Sequence, residues 1–271
     1  MVSISSNGTA FSLTGPINRP VIVLIHGLGL NQRVWMNHIQ PLAERYTVLT
    51  YDLLGHGETA QPPSRPSLTV FSQQLAELLR ELDITSAHIS GFSLGGMINR
   101  RLAMDHPELV SSLIILNSPH ERSPEGQALV EQRAADTGAG GQGATLDATI
   151  ERWFTAGYIA SHPKEIQMVR DWVLANNADS YAQCRLVLAH GVKELVRPKP
   201  AISHPTLVIT CEKDSGSTPA MSHALASEIE GAKTLVVPGL QHMGLMERPE
   251  LFIQPTLEFL NKLTSKENSN G

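Results

Sequence analysis

The residues of this chain best suited to chemistry are a serine, a histidine and an aspartate that lie far apart in the sequence. The hydroxyl of Ser93 becomes a strong nucleophile only when a neighbouring base removes its proton. The imidazole of His242 is a base suited to neutral pH, and the carboxylate of Asp214 can orient such a ring and stabilise its charged form. Together the three side chains predict nucleophilic attack on a carbonyl carbon.

Ser93 occupies the centre of the sequence Gly-Phe-Ser-Leu-Gly at residues 91–95. The apolar run before it predicts a strand and the pattern after it predicts a helix, which is the setting of a nucleophile elbow. Gly91 and Gly95 carry no Cβ and so leave room for a sharply turned serine. The N-terminus of the helix offers unpaired N–H groups where negative charge would develop on an attacked carbonyl.

A second glycine-rich loop, His26-Gly27-Leu28-Gly29, follows a continuous apolar run. Such a loop can bring a backbone N–H beside the nucleophile of a neighbouring strand, where it stabilises an oxyanion. We expect the amides of Leu28 and Leu94 to form this oxyanion hole. Because one base and one acid suffice, we predict that His26 only hydrogen-bonds its loop and that Asp52 organises the loop after the next strand.

These residues need a sheet that brings the ends of separate strands together. Apolar runs that predict buried strands lie at 21–25, 46–50, 87–90, 110–116, 206–210 and 234–237. Patterns that predict the flanking helices lie at 35–44, 68–82, 97–106, 219–231 and 249–263. This alternation predicts an α/β fold with a mostly parallel sheet covered by helices on both faces. Ser93, Asp214 and His242 each follow a predicted strand, so we expect them to meet at the carboxyl edge of the sheet.

The two ends of the chain have simpler predictions. Residues 2–14 alternate apolar and polar side chains around Asn7-Gly8, which predicts an antiparallel hairpin at the edge of the sheet. The polar tail 265–271 is predicted to be disordered.

Residues 120–203 contain no run that predicts a buried strand. Helical patterns lie at 124–138, 146–156, 164–176 and 180–189. We interpret this segment as a helical cap inserted after the fourth parallel strand, so that residues 1–119 and 204–271 form the core. No second independent domain is expected.

Large apolar side chains near the predicted site could line a substrate pocket. The residues we expect there are Trp35, Trp153, Phe154, Tyr158 and Met243. A substrate that carries a carboxylate would need a cation in the same pocket, and the candidates are Arg33, Arg122, Arg133 and Arg185. The sequence leaves the choice among these arginines open.

Composition narrows the class of partner. The 271 residues carry a net charge of −5 without a long basic or acidic run, so we expect a small-molecule substrate rather than nucleic acid or a membrane. Cys184 and Cys211 lie far apart without metal-ligand spacing, which predicts buried thiols, and neither a metal nor a cofactor is expected. The N-terminus lacks the order of a secretion signal and no apolar run could span a bilayer, so we expect a cytoplasmic protein. The oligomeric state stays open.

Several motifs together resemble the α/β-hydrolase superfamily along nearly the whole chain. They are the glycine-rich loop 26–29, the turn 52–57, the elbow 91–95, Asp214 with Thr218-Pro219, and Gln241-His242 with residues 247–249. The segment Ile-Glu-Arg-Trp-Phe-Thr at 150–155 and Tyr-Ala-Gln-Cys at 181–184 resemble the 3-oxoadipate enol-lactonase group. The resemblance implies a serine hydrolase that cleaves a small carboxylic ester or lactone through a Ser-His-Asp triad and an acyl-enzyme, in the catabolism of aromatic compounds.

Other functions are compatible with the same residues. Carbon–carbon bond hydrolases of aromatic-ring degradation keep the same three side chains, and a small-molecule receptor can use the same fold. Haloalkane dehalogenases and the related epoxide hydrolases have an aspartate at the elbow, so Ser93 argues against both. The loop from Asp214 to Pro219 is one residue longer than the usual Asp-x-x-Thr-Pro, and we expect Asp214 to keep its role.

Overall fold

The computed structural model describes residues 1–267, and an eight-stranded sheet forms its centre. The strands are β1 Ser3–Ile4, β2 Ala10–Thr14, β3 Val21–Ile25, β4 Thr47–Tyr51, β5 Ala87–Phe92, β6 Val110–Leu116, β7 Thr206–Cys211 and β8 Lys233–Val237. Their order in the sheet is β1-β2-β4-β3-β5-β6-β7-β8. The pairs β1/β2 and β2/β4 are antiparallel and the other pairs are parallel. The predicted α/β class and the predicted edge hairpin are therefore confirmed.

Helices cover the sheet along the described part of the chain. They are α1 Met36–Ala43, α2 Leu68–Glu81, α3 Leu94–Asp105, α4 Pro124–Gly140, α5 Leu146–Trp153, α6 Ala156–Ser161, α7 Pro163–Ala175, α8 Ala178–His190, α9 Pro219–Ser227, α10 Gly244–Glu247 and α11 Glu250–Glu267. The prediction of disorder is wrong for residues 265–267, because they belong to α11, which ends at Glu267. Residues 268–271 of the predicted tail lie outside the described residues. Within residues 1–267, no helix combines the length and the apolar character needed to cross a membrane.

The register of the central strands brings their carboxyl ends level. Ile25 in β3 pairs with Gly91 in β5, and Gly91 pairs with Ile115 in β6. The end of β6 in turn pairs Leu116 with Ile209 of β7. Residues that directly follow these strands therefore emerge at one edge of the sheet, which is where a site can form in a parallel sheet.

Five helices, α4 to α8, lie between β6 and β7 and are called the inserted helices below. The prediction of one helix over 146–156 is wrong, because α5 ends at Trp153 and α6 begins at Ala156. Phe154 between them is extended, with φ −116° and ψ 149°. Thr155 then caps α6 by accepting a hydrogen bond from the amide of Tyr158. Cys184 of α8 and Cys211 of β7 are both buried free thiols, as predicted.

Candidate active site

Ser93 lies at the turn between β5 and α3, where it occupies the capping position of the helix. Its φ is +55° and its ψ is −112°, a backbone conformation that residues with side chains rarely adopt. A Cβ at Gly91 would overlap the carbonyl of Gly95, and a Cβ at Gly95 would overlap the carbonyl of Ile25. Close packing therefore requires glycine on both sides of Ser93, as a nucleophile elbow does.

Arg100 supports this elbow from within the core, which the sequence analysis did not predict. The side chain lies on α3 and is only 1% exposed. Its guanidinium donates to the carbonyl of Gly96 at 2.8 Å and to Ser118 Oγ at 3.2 Å. Ser118 Oγ donates in turn to the carbonyl of Ser93 at 2.9 Å. Burial lowers the pKa of Arg100 to about 9, so the guanidinium still carries its charge at neutral pH.

Asp214 and His242 form a buried pair at the same edge of the sheet. His242 Nδ1 lies 2.6 Å from Asp214 Oδ2. Because a carboxylate only accepts, Nδ1 carries the proton and Nε2 is the ring nitrogen that can take one up. Ser93 and His242 line the same cavity. No hydrogen bond joins the Ser93 hydroxyl to the ring within residues 1–267, and contacts of this kind commonly tighten only when substrate is bound.

The carboxylate of Asp214 has a donor at each of its acceptor positions. Oδ2 accepts from His242 and, at 2.9 Å, from Asn117 Nδ2. Oδ1 accepts from the amides of Gly216 at 2.9 Å and Ser217 at 3.0 Å. Burial alone would raise the pKa of Asp214, but the charge of His242 and these hydrogen bonds outweigh it and hold the pKa below its usual value. Asp214 therefore stays ionised beside the imidazole.

The longer loop after Asp214 is closed by its own hydrogen bonds. The carbonyl of Ser217 accepts from Thr210 Oγ1 at 2.7 Å, which ties the loop to the end of β7. Thr218 caps α9 by accepting from the amide of Met221 at 3.2 Å. The extra residue is therefore accommodated within the turn, and Asp214 lies at the edge where the sequence analysis expected it.

Asn117 is a site residue that the sequence analysis missed. It directly follows β6 with a φ of +45°, and its backbone N–H donates to the carbonyl of Ile209 at 2.8 Å. Its side chain donates to Asp214, as described above. A signal for it was present, because a polar residue directly after a buried strand lies at the same edge as Asp214.

The amides expected to form an oxyanion hole lie close to Ser93. Leu28 lines the cavity, and Leu94 is the first residue of α3. A Cβ at Gly27 would come within 3.2 Å of Ser93 Cβ, which shows how near this loop passes to the elbow. Within residues 1–267, neither the Leu28 nor the Leu94 amide donates to another protein group. Both N–H groups therefore remain able to bind a ligand oxygen.

His26 and Asp52 have the structural roles predicted for them. His26 Nε2 accepts from the amide of Leu53 at 3.0 Å, and Nδ1 donates to the carbonyl of Gly27 at 2.8 Å. Burial lowers the pKa of His26 to about 4, so the ring is neutral at pH 7. Asp52 accepts from the amide of Gln32 at 2.7 Å and thereby connects the loops after β3 and β4.

Of the five apolar residues expected in the substrate pocket, Trp153 lines the cavity with Ser93 and His242. The centroid of its ring lies 6.1 Å from that of His242. The other four are not among the described residues that line this cavity.

The structure places Trp35, Phe154, Tyr158 and Met243 outside the cavity lining. Trp35, Phe154 and Met243 are 0% exposed and belong to the hydrophobic core. Phe154 stacks on Tyr158 with a centroid distance of 5.4 Å. Because the backbone at Phe154 is extended, its side chain points to a different side from that of Trp153. Packing therefore occupies these four side chains, which is the usual role of large apolar residues.

Arginines line the part of the cavity that the inserted helices and the turn before α4 contribute. Arg122, Arg133 and Arg185, three of the four candidates from the sequence, line it. Arg33 instead lies over the ring of Trp172, 5.7 Å from its centroid. Arg152 also lines the cavity and was missed. Its signal was its place in the segment 150–155 that carries the resemblance to enol-lactonases.

Known proteins resemble this chain in sequence and in fold. The sequence profile of the alpha/beta hydrolase family matches residues 22–254. A 3-oxoadipate enol-lactonase from Acinetobacter baylyi is 29% identical over 243 residues, which cover 89% of this chain and 89% of that protein. An (E)-2-((N-methylformamido)methylene)succinate hydrolase from the same organism is 26% identical and covers 92% of this chain and 93% of its own. The crystal structure of the enol-lactonase from Burkholderia xenovorans LB400 has a TM-score of 0.86, 29% identity and coverage of 94% of this chain and 98% of that one.

These relatives confirm the predicted resemblance to the enol-lactonase group. They also confirm the predicted class of enzyme, a hydrolase of the carboxylic ester type. The profile match spans most of the chain, from β3 to α11. The chain therefore belongs to the alpha/beta hydrolase family.

Proposed function

We propose that this protein is a serine hydrolase that cleaves a small carboxylic ester or lactone. In this proposal Ser93 is the nucleophile, His242 is the general base and acid, and Asp214 orients the imidazole. The observation that carries it is the 2.6 Å hydrogen bond between Asp214 and His242, beside a cavity that Ser93 lines from a turn with positive φ. A serine at such a turn and an imidazole fixed by a carboxylate are the parts that acyl transfer requires.

The first half of the reaction forms an acyl-enzyme. His242 Nε2 takes the proton of the Ser93 hydroxyl while Oγ attacks the carbonyl carbon, and the carbonyl oxygen becomes an oxyanion. The amides of Leu28 and Leu94 donate to this oxyanion. The bond to the leaving oxygen then breaks as His242 returns the proton to it, which releases an alcohol from an ester or opens the ring of a lactone. Asp214 stabilises the imidazolium between the two proton transfers.

The second half releases the acid. A water molecule gives a proton to His242 Nε2 while its oxygen attacks the acyl carbon, and the same two amides bind the second oxyanion. The bond to Ser93 Oγ breaks, Oγ takes the proton from His242, and a carboxylic acid leaves. The acid ionises at neutral pH, so each turnover creates one carboxylate and one proton.

The relatives and the cavity support a small substrate. Two relatives are named as enol-lactonases, and the cavity combines a Trp153 wall with arginine side chains suited to a carboxylate. Residues 120–203 act in this proposal as a cap over the bound molecule, because α4, α5 and α8 carry much of the cavity lining. A carboxylated ester or lactone is the class that satisfies both features.

The test is Ser93→Ala assayed on 4-nitrophenyl esters, lactones and ring-cleavage dienones. We expect wild-type turnover of an ester or lactone and a loss of at least about 10⁴-fold in kcat in the variant. Ser227→Ala, on the exposed face of α9, is the matched control and keeps wild-type activity. A Ser93→Ala protein with undiminished turnover contradicts the proposal, and turnover of dienones alone moves the function to carbon–carbon bond hydrolysis.

A further inference from the structure

Four arginines line the cavity that holds Ser93 and His242, and no Asp or Glu among residues 1–265 lines it with them. Arg133 lies on α4, Arg152 on α5 and Arg185 on α8, while Arg122 lies in the turn before α4. The lining of this cavity therefore has an excess of positive charge, and like charges at close range repel one another.

Arg122 is held by the protein. Its Nη1 donates to the carbonyl of Ala189 at 3.1 Å, and its Nη2 donates to the carbonyl of Leu188 at 3.2 Å. Nη1 also lies 3.2 Å from Gln127 Oε1. These acceptors fix Arg122 between the end of α8 and the start of α4, so its role is structural.

The other three guanidiniums have no carboxylate partner among the described residues. No ion pair within 4 Å involves Arg133, Arg152 or Arg185 in residues 1–265. Arg185 is only 7% exposed, and its guanidinium makes one long hydrogen bond, 3.3 Å, to Tyr181 Oη. A buried guanidinium has five N–H donors to satisfy, so a single weak acceptor leaves most of them for a ligand.

The three charges also act on one another. The pKa of Arg152 is lowered to about 10, chiefly by burial and then by the positive charge of Arg133; Asp214 raises this pKa and Arg185 lowers it. The pKa of Arg133 is lowered by burial and then by Arg185. The three side chains therefore repel one another within a single site, although they come from three different helices. An anion between them would remove this repulsion and replace it with charge-assisted hydrogen bonds.

Arg152 lies against the loop that holds Asp214. A Cβ at Gly216 would come within 3.1 Å of Arg152 Nη1, so the absence of a side chain at Gly216 lets the guanidinium approach the loop. The Asp214 carboxylate already accepts four hydrogen bonds, so it attracts Arg152 without being its hydrogen-bond partner. An anionic group bound by Arg152 would therefore lie near the imidazole of His242.

We propose that the substrate of this site carries at least two carboxylates in addition to the ester or lactone bond that is cleaved. One carboxylate is bound beside the reacting carbonyl by Arg152, and the second is bound by Arg133 and Arg185. One carboxylate cannot face three planar guanidiniums that approach from three helices, since each fork takes one carboxylate edge-on. Cleavage creates a further carboxylate, so the acid released from such a substrate carries three. This inference rests on the hydrolase function proposed above.

The first experiment compares three 4-nitrophenyl esters on the wild-type protein. They are the esters of butyric acid, glutaric acid and tricarballylic acid, with none, one and two free carboxylates. We expect kcat/KM to rise by about 10-fold or more for each carboxylate, which is the usual effect of a charge-assisted hydrogen bond to a buried arginine. Equal kcat/KM for the three esters, or a maximum at one carboxylate, overturns the proposal.

Three variants test which arginines bind the carboxylates of the substrate: Arg133→Gln, Arg152→Gln and Arg185→Gln. We expect each to reduce the ratio of kcat/KM between the tricarballylate and butyrate esters by about 10-fold or more. Arg33→Gln is the matched control, since its guanidinium is exposed over Trp172, and it keeps the wild-type ratio. An unchanged ratio in all three variants overturns the proposal. The three-ester series on wild type decides the question even where a variant does not fold.

A binding experiment separates this inference from the hydrolase function. In Ser93→Ala, tricarballylate should raise Tm by about 3 °C or more, glutarate by less and butyrate hardly at all, each at the same ionic strength. Inorganic phosphate that stabilises as strongly as tricarballylate overturns the assignment to carboxylates. Ester turnover that depends on Ser93 without any charge preference leaves the hydrolase in place and refutes the dicarboxylate site. Stabilisation by tricarballylate without turnover of any ester supports the anion site and refutes the hydrolase function.

Discussion

The two sides of the cavity differ in whether the protein itself compensates their charges. On the core side, the Asp214 carboxylate meets His242, Asn117 and two backbone amides. On the side of the inserted helices, Arg133, Arg152 and Arg185 face the cavity without a carboxylate partner in residues 1–265.

This difference separates chemistry from recognition. The charged groups of the core side have their partners without a ligand, and in the proposed mechanism this side carries out the proton transfers. The arginines of the helical side find a counter-charge only when an anion binds. The stability and the selectivity of this side therefore depend on the ligand. Changes on the core side should therefore reduce turnover for every substrate, whereas changes on the helical side should alter which substrate is preferred.

The largest effect should come from removing the charge of Asp214 with Asp214→Asn. The amide is nearly the same size, but it no longer holds His242 in the required tautomer, and comparable triads lose about 10⁴-fold in kcat. The measurement is kcat on 4-nitrophenyl butyrate together with circular dichroism to confirm folding. Asp105→Asn, which breaks only the ion pair with Arg101 on α3, serves as the control and stays fully active. A kcat within 10-fold of wild type would contradict the role of Asp214.

The second effect is on stability at acid pH. The core holds buried neutral histidines, whereas the inserted helices present charged arginines to the cavity. Burial is the main cause that lowers the pKa of His26 to about 4 and the pKa of His38 and His56 to about 3. The unfolded chain takes up protons on these rings below about pH 6.5, whereas the folded core does not. The contribution of these neutral histidines to the free energy of unfolding should be fully present above pH 6.5. It should decrease towards pH 4 by about 1.4 kcal/mol per pH unit for each histidine.

Urea unfolding at pH 8, 7, 6 and 5 measures this slope. His38→Leu is the informative variant, because neither ring nitrogen of His38 has a hydrogen-bond partner among the described residues. The variant should lose the contribution of one proton to the slope and be more stable than wild type at pH 5. Identical slopes for wild type and His38→Leu would show that His38 does not titrate as its burial requires.

A smaller loss of activity should follow Asn117→Gly. Glycine adopts the φ of +45° found here without strain, so the variant removes the hydrogen bond to Asp214 with little change to the turn. We expect kcat to fall by about 10-fold and KM to stay the same, since a hydrogen bond to a charged group is lost. With one donor fewer, the Asp214 carboxylate stabilises the imidazolium more strongly, so the acid limb of the pH–rate profile should move to higher pH. An unmoved acid limb would assign Asn117 to folding alone.

The smallest effect should be a gain in stability from Arg133→Gln. Removing one of three mutually repelling charges should raise Tm by about 1–2 °C in the absence of ligand, while the preference for anionic esters decreases. The measurement is thermal unfolding at low ionic strength, where repulsion is least screened. A lower Tm that stays low in high salt would show that Arg133 packs rather than repels.

Much of the core side could be predicted because its signals are local. The glycines around Ser93 are required by contacts within one strand–turn–helix unit, so their spacing alone indicates the elbow. Asp214 and His242 lie far apart in sequence, yet each follows a strand, and parallel strands end at one edge. Asn117 obeyed the same rule and was missed, because an asparagine after a strand is also an ordinary turn residue.

The sequence by itself determined the order of strands and helices and the three side chains that could perform acyl transfer, since periodicity and motif spacing depend on neighbouring residues. The tertiary structure alone decided which arginines face the cavity and why Trp153 lines it while Phe154 is buried in the core. Adjacent residues leave the backbone in different directions, and which direction meets the cavity depends on how α4, α5 and α8 pack over the sheet. That packing arises from contacts between distant segments, which no local pattern in the sequence specifies.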